Sequence, residues 1–346
     1  MDNLQTSFFE RQTKLDQIGE SGQLKLLKAQ VLVIGSGGLG CSVLQSLVHS
    51  GVSHITIVDH DSVDVTNLHR QVLFNVNDIG KSKAQTASDK LNKIAPWVST
   101  IAINKKFEGE AYYKEFDIIV DCTDNLRTKF LIHDFAFTNK INLVQASIHK
   151  FDGQLQVFKY ANSTDKGCLR CLWDEEPIQL GSCSDNGVMG VVPALFGTLQ
   201  ANEVIKLVLG IGEAFENEVL TFNLLNLETS KLKYKKHTEC KFCVKKELTM
   251  ENFEVKPEDI NFDDYRWLDI RIMNAGKPLP ANLPADLVIT KTDEEIMAEF
   301  PDLPQDKPFL VLCDKGFRAA GLTKLLREDG NDNVFSLAGG YLGLGV

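Results

Sequence analysis

The chain has 346 residues, 43% of them hydrophobic and 24% charged, with 25 Gly and 10 Pro; this is a globular composition, neither fibrous nor disordered, and at about 150 residues per domain it implies roughly two domains. Its formal charge of −10, from 37 Lys and Arg against 47 Asp and Glu, repels phosphate backbones and anionic lipid, so neither a nucleic-acid nor a membrane partner is expected. A basic start followed by an apolar stretch is missing, as is any run of 18 apolar residues, so the expected location is cytoplasmic, without a membrane span.

Residues 1–28 are polar with apolar positions at helical spacing (Phe8, Phe9, Ile18, Leu24, Leu26, Leu27) and read as an amphipathic helical lead-in. Short apolar, β-branched runs follow at Val31–Ile34, Ile55–Val58, Ile118–Val120 and Leu143–Val144, separated by helical stretches at Ser42–His49, Lys83–Ile94 and Arg127–Thr138. Continuous apolar strands alternating with helices predict a mostly parallel sheet covered on both faces, a doubly wound, Rossmann-like α/β fold. Lys150–Lys159 alternates like an antiparallel strand, and Phe196–Leu209 reads as a helix. The first domain is expected to span 1–250, a Pro- and Asp-rich linker 251–264, and a second, small α/β domain 265–346.

Gly35-Ser36-Gly37-Gly38-Leu39-Gly40 follows the first strand and opens a helix, and Asp59 ends the next strand 19 residues after Gly40. In that context the glycines permit a tight turn, the helix N-terminus faces a phosphate and the acid accepts from a ribose hydroxyl. The fingerprint alone fits a nicotinamide-dependent oxidoreductase. It is followed, however, by Asn67, Arg70, Gln71, Lys83 and the run Asp121-Cys122-Thr123-Asp124-Asn125. Cations beside carboxylates suit phosphoryl or nucleotidyl chemistry, in which a carboxylate holds Mg²⁺. Asp124 also stands where it could cap the helix starting near Asn125, and Asp121 reads as a supporting acid. A non-catalytic nucleotide-binding partner protein is the remaining alternative.

Taken together, the glycine turn with Cys41, Asp59, Asn67 to Gln71, Lys83 and Asp121 to Asn125 resemble the MoeB/ThiF/HesA family, bacterial relatives of ubiquitin-activating enzymes, through about the first 245 residues. The resemblance implies ATP-dependent adenylation of the C-terminal glycine of a ubiquitin-fold sulfur carrier of the MoaD or ThiS type, in molybdopterin or thiamin biosynthesis, with thiolated tRNA as a further route. It implies that Asp59 binds the ribose, that Asn67, Arg70 and Lys83 contact the phosphates and that Asp124 holds magnesium. It also implies that Arg11 reaches the phosphate site of a neighbouring subunit, hence a homodimer. The family often has Arg where this chain has Lys129.

The eight cysteines lie scattered through a chain without an export signal, which argues against a disulfide framework. Cys168 with Cys171 and Cys240 with Cys243 are two C-x-x-C pairs, 68 residues apart; four thiolates suit a structural Zn²⁺ that clips a distant segment to the domain. Cys41 and Cys122 read as packed residues. Cys183, in a Gly/Ser/Asn-rich stretch, is a candidate loop nucleophile or resolving thiol. Near the end, Pro308–Leu312 leads into Cys313-Asp314-Lys315-Gly316-Phe317-Arg318 and a helix through Leu326. A thiolate there is ringed by backbone N–H groups and Arg318. This stretch, with Leu268 to Arg271 and Asn333 to Gly340, resembles the active loop and landmarks of rhodanese domains, which carry sulfur as a cysteine persulfide. The resemblance implies sulfur transfer by Cys313 to a thiocarboxylate, from a persulfide donor such as a cysteine desulfurase. Ile272–Thr290 matches poorly, Ala319 replaces the usual Ser, and the domain is expected to be truncated, since little of a final helix remains before Val346.

Overall fold

The computed structural model describes residues 1–109, 115–163, 165–173, 187–246, 253–271, 278–279, 283–314 and 317–344. They fall into two compact units, one within 1–246 and one within 253–344.

The first unit opens with helices α1 (Asn3–Thr13) and α2 (Gly19–Lys28) and continues with β1 (Gln30–Ile34), α3 (Gly38–His49), β2 (His54–Val58), α4 (Lys83–Leu91), β3 (Ser99–Ile103), β4 (Ile118–Asp121), α5 (Leu126–Asn139), β5 (Asn142–His149), β6 (Asp152–Phe158), α6 (Leu169–Leu172), α7 (Val191–Leu209), β7 (Glu218–Asn223) and β8 (Glu228–Lys233). The strands form one sheet in the order β3-β2-β1-β4-β5-β6-β7-β8. The first five are parallel, with Val31 beside both Ile55 and Ile118, and β6 to β8 are antiparallel. Side-chain alternation divides the apolar runs between two cores. Val31, Val33, Ile118 and Val120 pack under α3, α4 and α7, while Leu32, Ile34 and Ile119 face α5 and the paired cysteines. The crossovers run outward in opposite senses from β1 and β4, and the crevice where strand order reverses is where α/β sheets bind ligands.

Val191–Leu209 is long and apolar enough to cross a membrane. It lies instead in the core, with Val192, Phe196, Ala201 and Val204 buried alongside Gln200 and Glu203.

The second unit comprises β9 (Glu254–Val255), β10 (Arg266–Asp269), β11 (Val288–Thr290), α8 (Asp293–Glu299), β12 (Phe309–Leu312), α9 (Phe317–Glu328), β13 (Val334–Leu337) and α10 (Gly340–Gly343). Its all-parallel sheet has the order β11-β10-β12-β13-β9. α8 and α9 bury Ile296, Ala319, Leu322 and Leu326 on one face, and Tyr341 covers Trp267 and Leu312 on the other. The segment expected as a linker is corrected here: Glu254 and Val255 pair with Ser336 and Leu337, and Ile260 and Phe262 pack on the second core. Their backbone and apolar side chains belong to the smaller unit.

Candidate active site

At the switch point, the chain leaves β1 through a turn that only glycine fits. Gly35 has φ +91°, and a Cβ on it would stand 2.8 Å from the Cys122 carbonyl oxygen; a Cβ on Gly40 would lie 2.1 Å from the Gly35 carbonyl oxygen. Gly37 precedes α3 and Gly38 is its first residue, so the N–H groups of that helix end face the crevice.

Asp59 closes β2 nearly buried. Its Oδ2 accepts from the Ser36 N–H (2.7 Å) and hydroxyl (2.9 Å), and its Oδ1 from the Asp61 N–H (2.8 Å). A carboxylate has about four acceptor positions, so one remains on Oδ1 beyond these three. Lys83, the first residue of α4, buries its stem and places Nζ 2.8 Å from Asp61 Oδ2. Burial pushes the Asp61 carboxyl up, but the Lys83 ammonium outweighs it and holds the carboxyl below the usual range. Asp61 is a site residue that sequence reasoning passed over; its signal was an acid two positions beyond Asp59.

The segment after β2 turns at Val65–Asn67, capped by Asp64. This brings Arg70 Nη2 to 2.6 Å from Asn67 Oδ1, with Arg70 Nη1 on the Thr66 carbonyl at 3.3 Å. Gln71 is buried near Gly37, and its Oε1 has no partner among the described residues. An orphaned buried acceptor beside a glycine turn fits a site completed by a ligand.

The other wall is the turn after β4. Asn125, expected to touch nucleotide, uses its side chain as the N-cap of α5, accepting from Thr128 N–H at 2.8 Å. The capping role considered for Asp124 therefore belongs to Asn125. Asp124 is exposed and makes no hydrogen bond or ion pair with any described residue, which fits a carboxylate available to a divalent cation. Arg11 lies exposed in the last turn of α1, likewise without such a partner.

Cys168, Cys171, Cys240 and Cys243 come together across the chain, with Sγ separations of 3.7 Å (168–171), 3.8 Å (168–240) and 3.6 Å (171–243). Tetrahedral Zn–S bonds of about 2.3 Å require sulfur separations near 3.8 Å, so the cluster could hold zinc. Burial pushes the Cys168 thiol up, and the Cys243 thiol to about 12; in Cys240 backbone N–H donors outweigh burial and lower it. The first pair is anchored from α5: His133 Nε2 accepts from the Leu169 N–H at 3.0 Å, and Asp134 takes Arg170 in a two-pronged pair at 2.7 and 3.1 Å. Cys41 and Cys122 are buried, and burial pushes the Cys41 thiol up to about 12 and the Cys122 thiol well above the usual thiol range.

In the second unit Cys313 ends β12 buried, its Sγ 3.3 Å from the Ala319 N–H of α9. Arg318 turns to the Asp293 carboxylate and the Ile270 carbonyl (3.1 Å). Asp269 and Arg271 form a buried pair at 2.7 Å. Cys183 lies outside the described residues.

Fold and site together define a doubly wound α/β domain with a glycine turn at its switch point and a four-cysteine cluster that could hold a metal, followed by a small parallel α/β unit carrying a cysteine at a strand end. Residues 9–242 match the ThiF family, and residues 283–344 match the rhodanese-like domain; the chain belongs to the ThiF family. It is 37% identical over 242 residues to a sulfur carrier protein adenylyltransferase of Thermus thermophilus, covering 68% of this chain and 89% of that one. Over 368 residues it is 31% identical to an adenylyltransferase and sulfurtransferase UBA4 of Meyerozyma guilliermondii, covering 96% and 86%. A crystal structure of E. coli MccB with ATP shares the fold, with TM-score 0.59 at 21% identity over 70% of this chain and 75% of that one. Relatives of this kind do not favour the oxidoreductase alternative.

Proposed function

We propose that this chain is an adenylyltransferase and sulfurtransferase acting on a ubiquitin-fold sulfur carrier with a C-terminal Gly-Gly. The terminal glycine carboxylate attacks the α-phosphorus of ATP, the bond to pyrophosphate breaks, and an acyl-adenylate forms. Attack of one anion on another is fast only where cations gather. Arg70 and Lys83 supply that charge, Asn67 and Gln71 hold and orient, Asp59 takes the ribose, and Asp124 would hold Mg²⁺, which would neutralise phosphate oxygens. In the second step a persulfide on Cys313, charged by a donor such as a cysteine desulfurase, attacks the acyl carbon and expels AMP. The Cys183 thiolate, as the resolving thiol, then attacks the Cys313 sulfur of the resulting acyl disulfide, which releases the thiocarboxylate and leaves a Cys183–Cys313 disulfide that an external dithiol reductant reopens.

What supports this reading is the glycine turn with Arg70 beside Gly38 and Lys83 on Asp61, together with an exposed Asp124 that has no hydrogen-bond or ion-pair partner among the described residues. A structural zinc in the four-cysteine cluster, a homodimer in which Arg11 serves the partner's phosphate site, and a cytoplasmic location complete the proposal. Carrier-dependent exchange of pyrophosphate into ATP tests it, together with its loss in Asp124→Ala; absence of exchange with carriers of both MoaD and ThiS type would overturn it.

A further inference from the structure

We infer that Asp121, held by the buried ammonium of Lys129, is a positioning residue that fixes the turn presenting Asp124 to the magnesium–nucleotide complex; this deepens the adenylation reading above and rests on it.

Asp121 is the last residue of β4 and is fully buried. Its Oδ1 accepts from the Thr123 N–H at 2.9 Å and the Thr123 hydroxyl at 2.7 Å, and its Oδ2 from Lys129 Nζ at 3.1 Å and Gln145 Nε2 at 2.7 Å. These fill the roughly four acceptor positions of a carboxylate, so Asp121 has none left for a cation. Its backbone carbonyl is also taken, by Gln200 Nε2 at 2.8 Å. The turn from Asp121 to Asn125 is thus clamped at both ends. At its start Asp121 folds the chain back through Thr123, and at its finish Asn125 caps α5. Asp124 stands between the clamps.

Lys129 makes the first clamp possible. A carboxylate at this depth needs a compensating charge, and Lys129 reaches Asp121 from the next turn of α5 while its second partner, the Ala146 carbonyl at 2.6 Å, pins it to β5. With Asp121 neutralised, Asp124 is the carboxylate of the pair whose charge stays available at the crevice. The same turn is the floor under Gly35, whose absent Cβ would strike the Cys122 carbonyl.

The test uses the full chain and calorimetric ATP binding at a series of MgCl₂ concentrations, with thermal melting as a fold check. Outer partners of metal ligands are worth about 10–100-fold in metal affinity. Asp121→Asn and Lys129→Met should raise the Mg²⁺ midpoint by that factor, while ATP binding in EDTA stays within about twofold of wild type. Lys129→Arg should restore the wild-type midpoint, because it keeps the charge. Thr123→Val, which removes one hydroxyl and keeps the shape, should move the midpoint the same way by a smaller factor, and it guards against variants that fail to fold. An unchanged midpoint in a folded Thr123→Val and Lys129→Met, or equal loss of binding with and without Mg²⁺, would overturn the inference while leaving the adenylation reading standing. Failure of the wild type to bind ATP would overturn both.

Discussion

Gly40 and Gly35 approach so closely that a single methyl group decides whether the phosphate turn can form. The Cβ of Gly40→Ala would stand 2.1 Å from a backbone carbonyl oxygen that cannot yield without moving Gly35, itself held at φ +91°. ATP affinity in this variant is expected to drop at least ~tenfold, about 1.4 kcal/mol, by calorimetry on protein that melts like wild type; binding within twofold of wild type would refute this use of the turn. The thiols give a second residue-scale prediction. Cys41, pushed up to about 12, and Cys122, both buried, carry almost no thiolate near pH 8. Native-state alkylation read by mass spectrometry should leave both unmodified until denaturant is added. Most chemistry-bearing residues were legible because short motifs carry them. What was not legible depended on partners: the Asp61 bound to Lys83 and the four donors on Asp121 come from up to 24 residues away in sequence, and no local pattern announces them. Asn125 shows a subtler limit, since both it and Asp124 are good caps, and the helix start at Leu126 assigns the role to Asn125.

At the scale of elements, α5 anchors one cysteine pair through charge and hydrogen bonds rather than through a metal alone. Replacing Arg170 by Ala would leave the Asp134 carboxylate buried without its main partner, an arrangement that costs ~3–5 kcal/mol; chemical denaturation of the full chain should show a loss of that size in its first-unit transition. The same helix sets a pH dependence. Burial lowers the pKa of His133, partly offset by Asp134, so the folded chain binds fewer protons there than the unfolded one, where the imidazole titrates near 6.5. The contribution is complete above about pH 6.5 and is lost as pH falls below it. The Asp134 carboxyl is raised by burial but lowered further by its bonds to His133 and Arg170, so its contribution persists until pH falls below about 4. A melting temperature that falls between pH 7 and 5.5 in wild type, but less in His133→Gln, is the expected pattern; identical slopes would refute it. Strands read from sequence were those with continuous apolar runs, together with β6, whose alternation marked it as antiparallel. β3 escaped because it is an edge strand with Ile101 exposed, and β9 because two residues in a Pro- and Asp-rich stretch carry no periodicity. Their existence is decided by the neighbouring strands.

At the scale of the whole molecule, two sheets have separate cores, one bearing the glycine turn and the other a cysteine whose thiol meets a helix N-terminus, and the proposed function gives each its own chemistry. The division into a larger doubly wound unit and a smaller α/β one was readable from the patterns of strands and helices, whereas the order of eight strands was not, because pairing across β1 and β4 is a long-range choice made by helix packing on both faces. Separate cores make the chemistries separable by substitution. Asp124→Ala should abolish carrier-dependent pyrophosphate exchange and, with it, everything downstream, since sulfur needs an acyl-adenylate to attack. Cys313→Ala, which removes one buried thiol at the end of β12 in the second unit, should leave exchange within about threefold of wild type, an effect of under ~1 kcal/mol. It should also end the mass gain of a thiocarboxylate on the carrier when a persulfide donor is supplied. If Cys313→Ala still yields thiocarboxylate at the wild-type rate, the sulfur must travel through another thiol, and the role assigned to the strand-end cysteine fails even though adenylation stands.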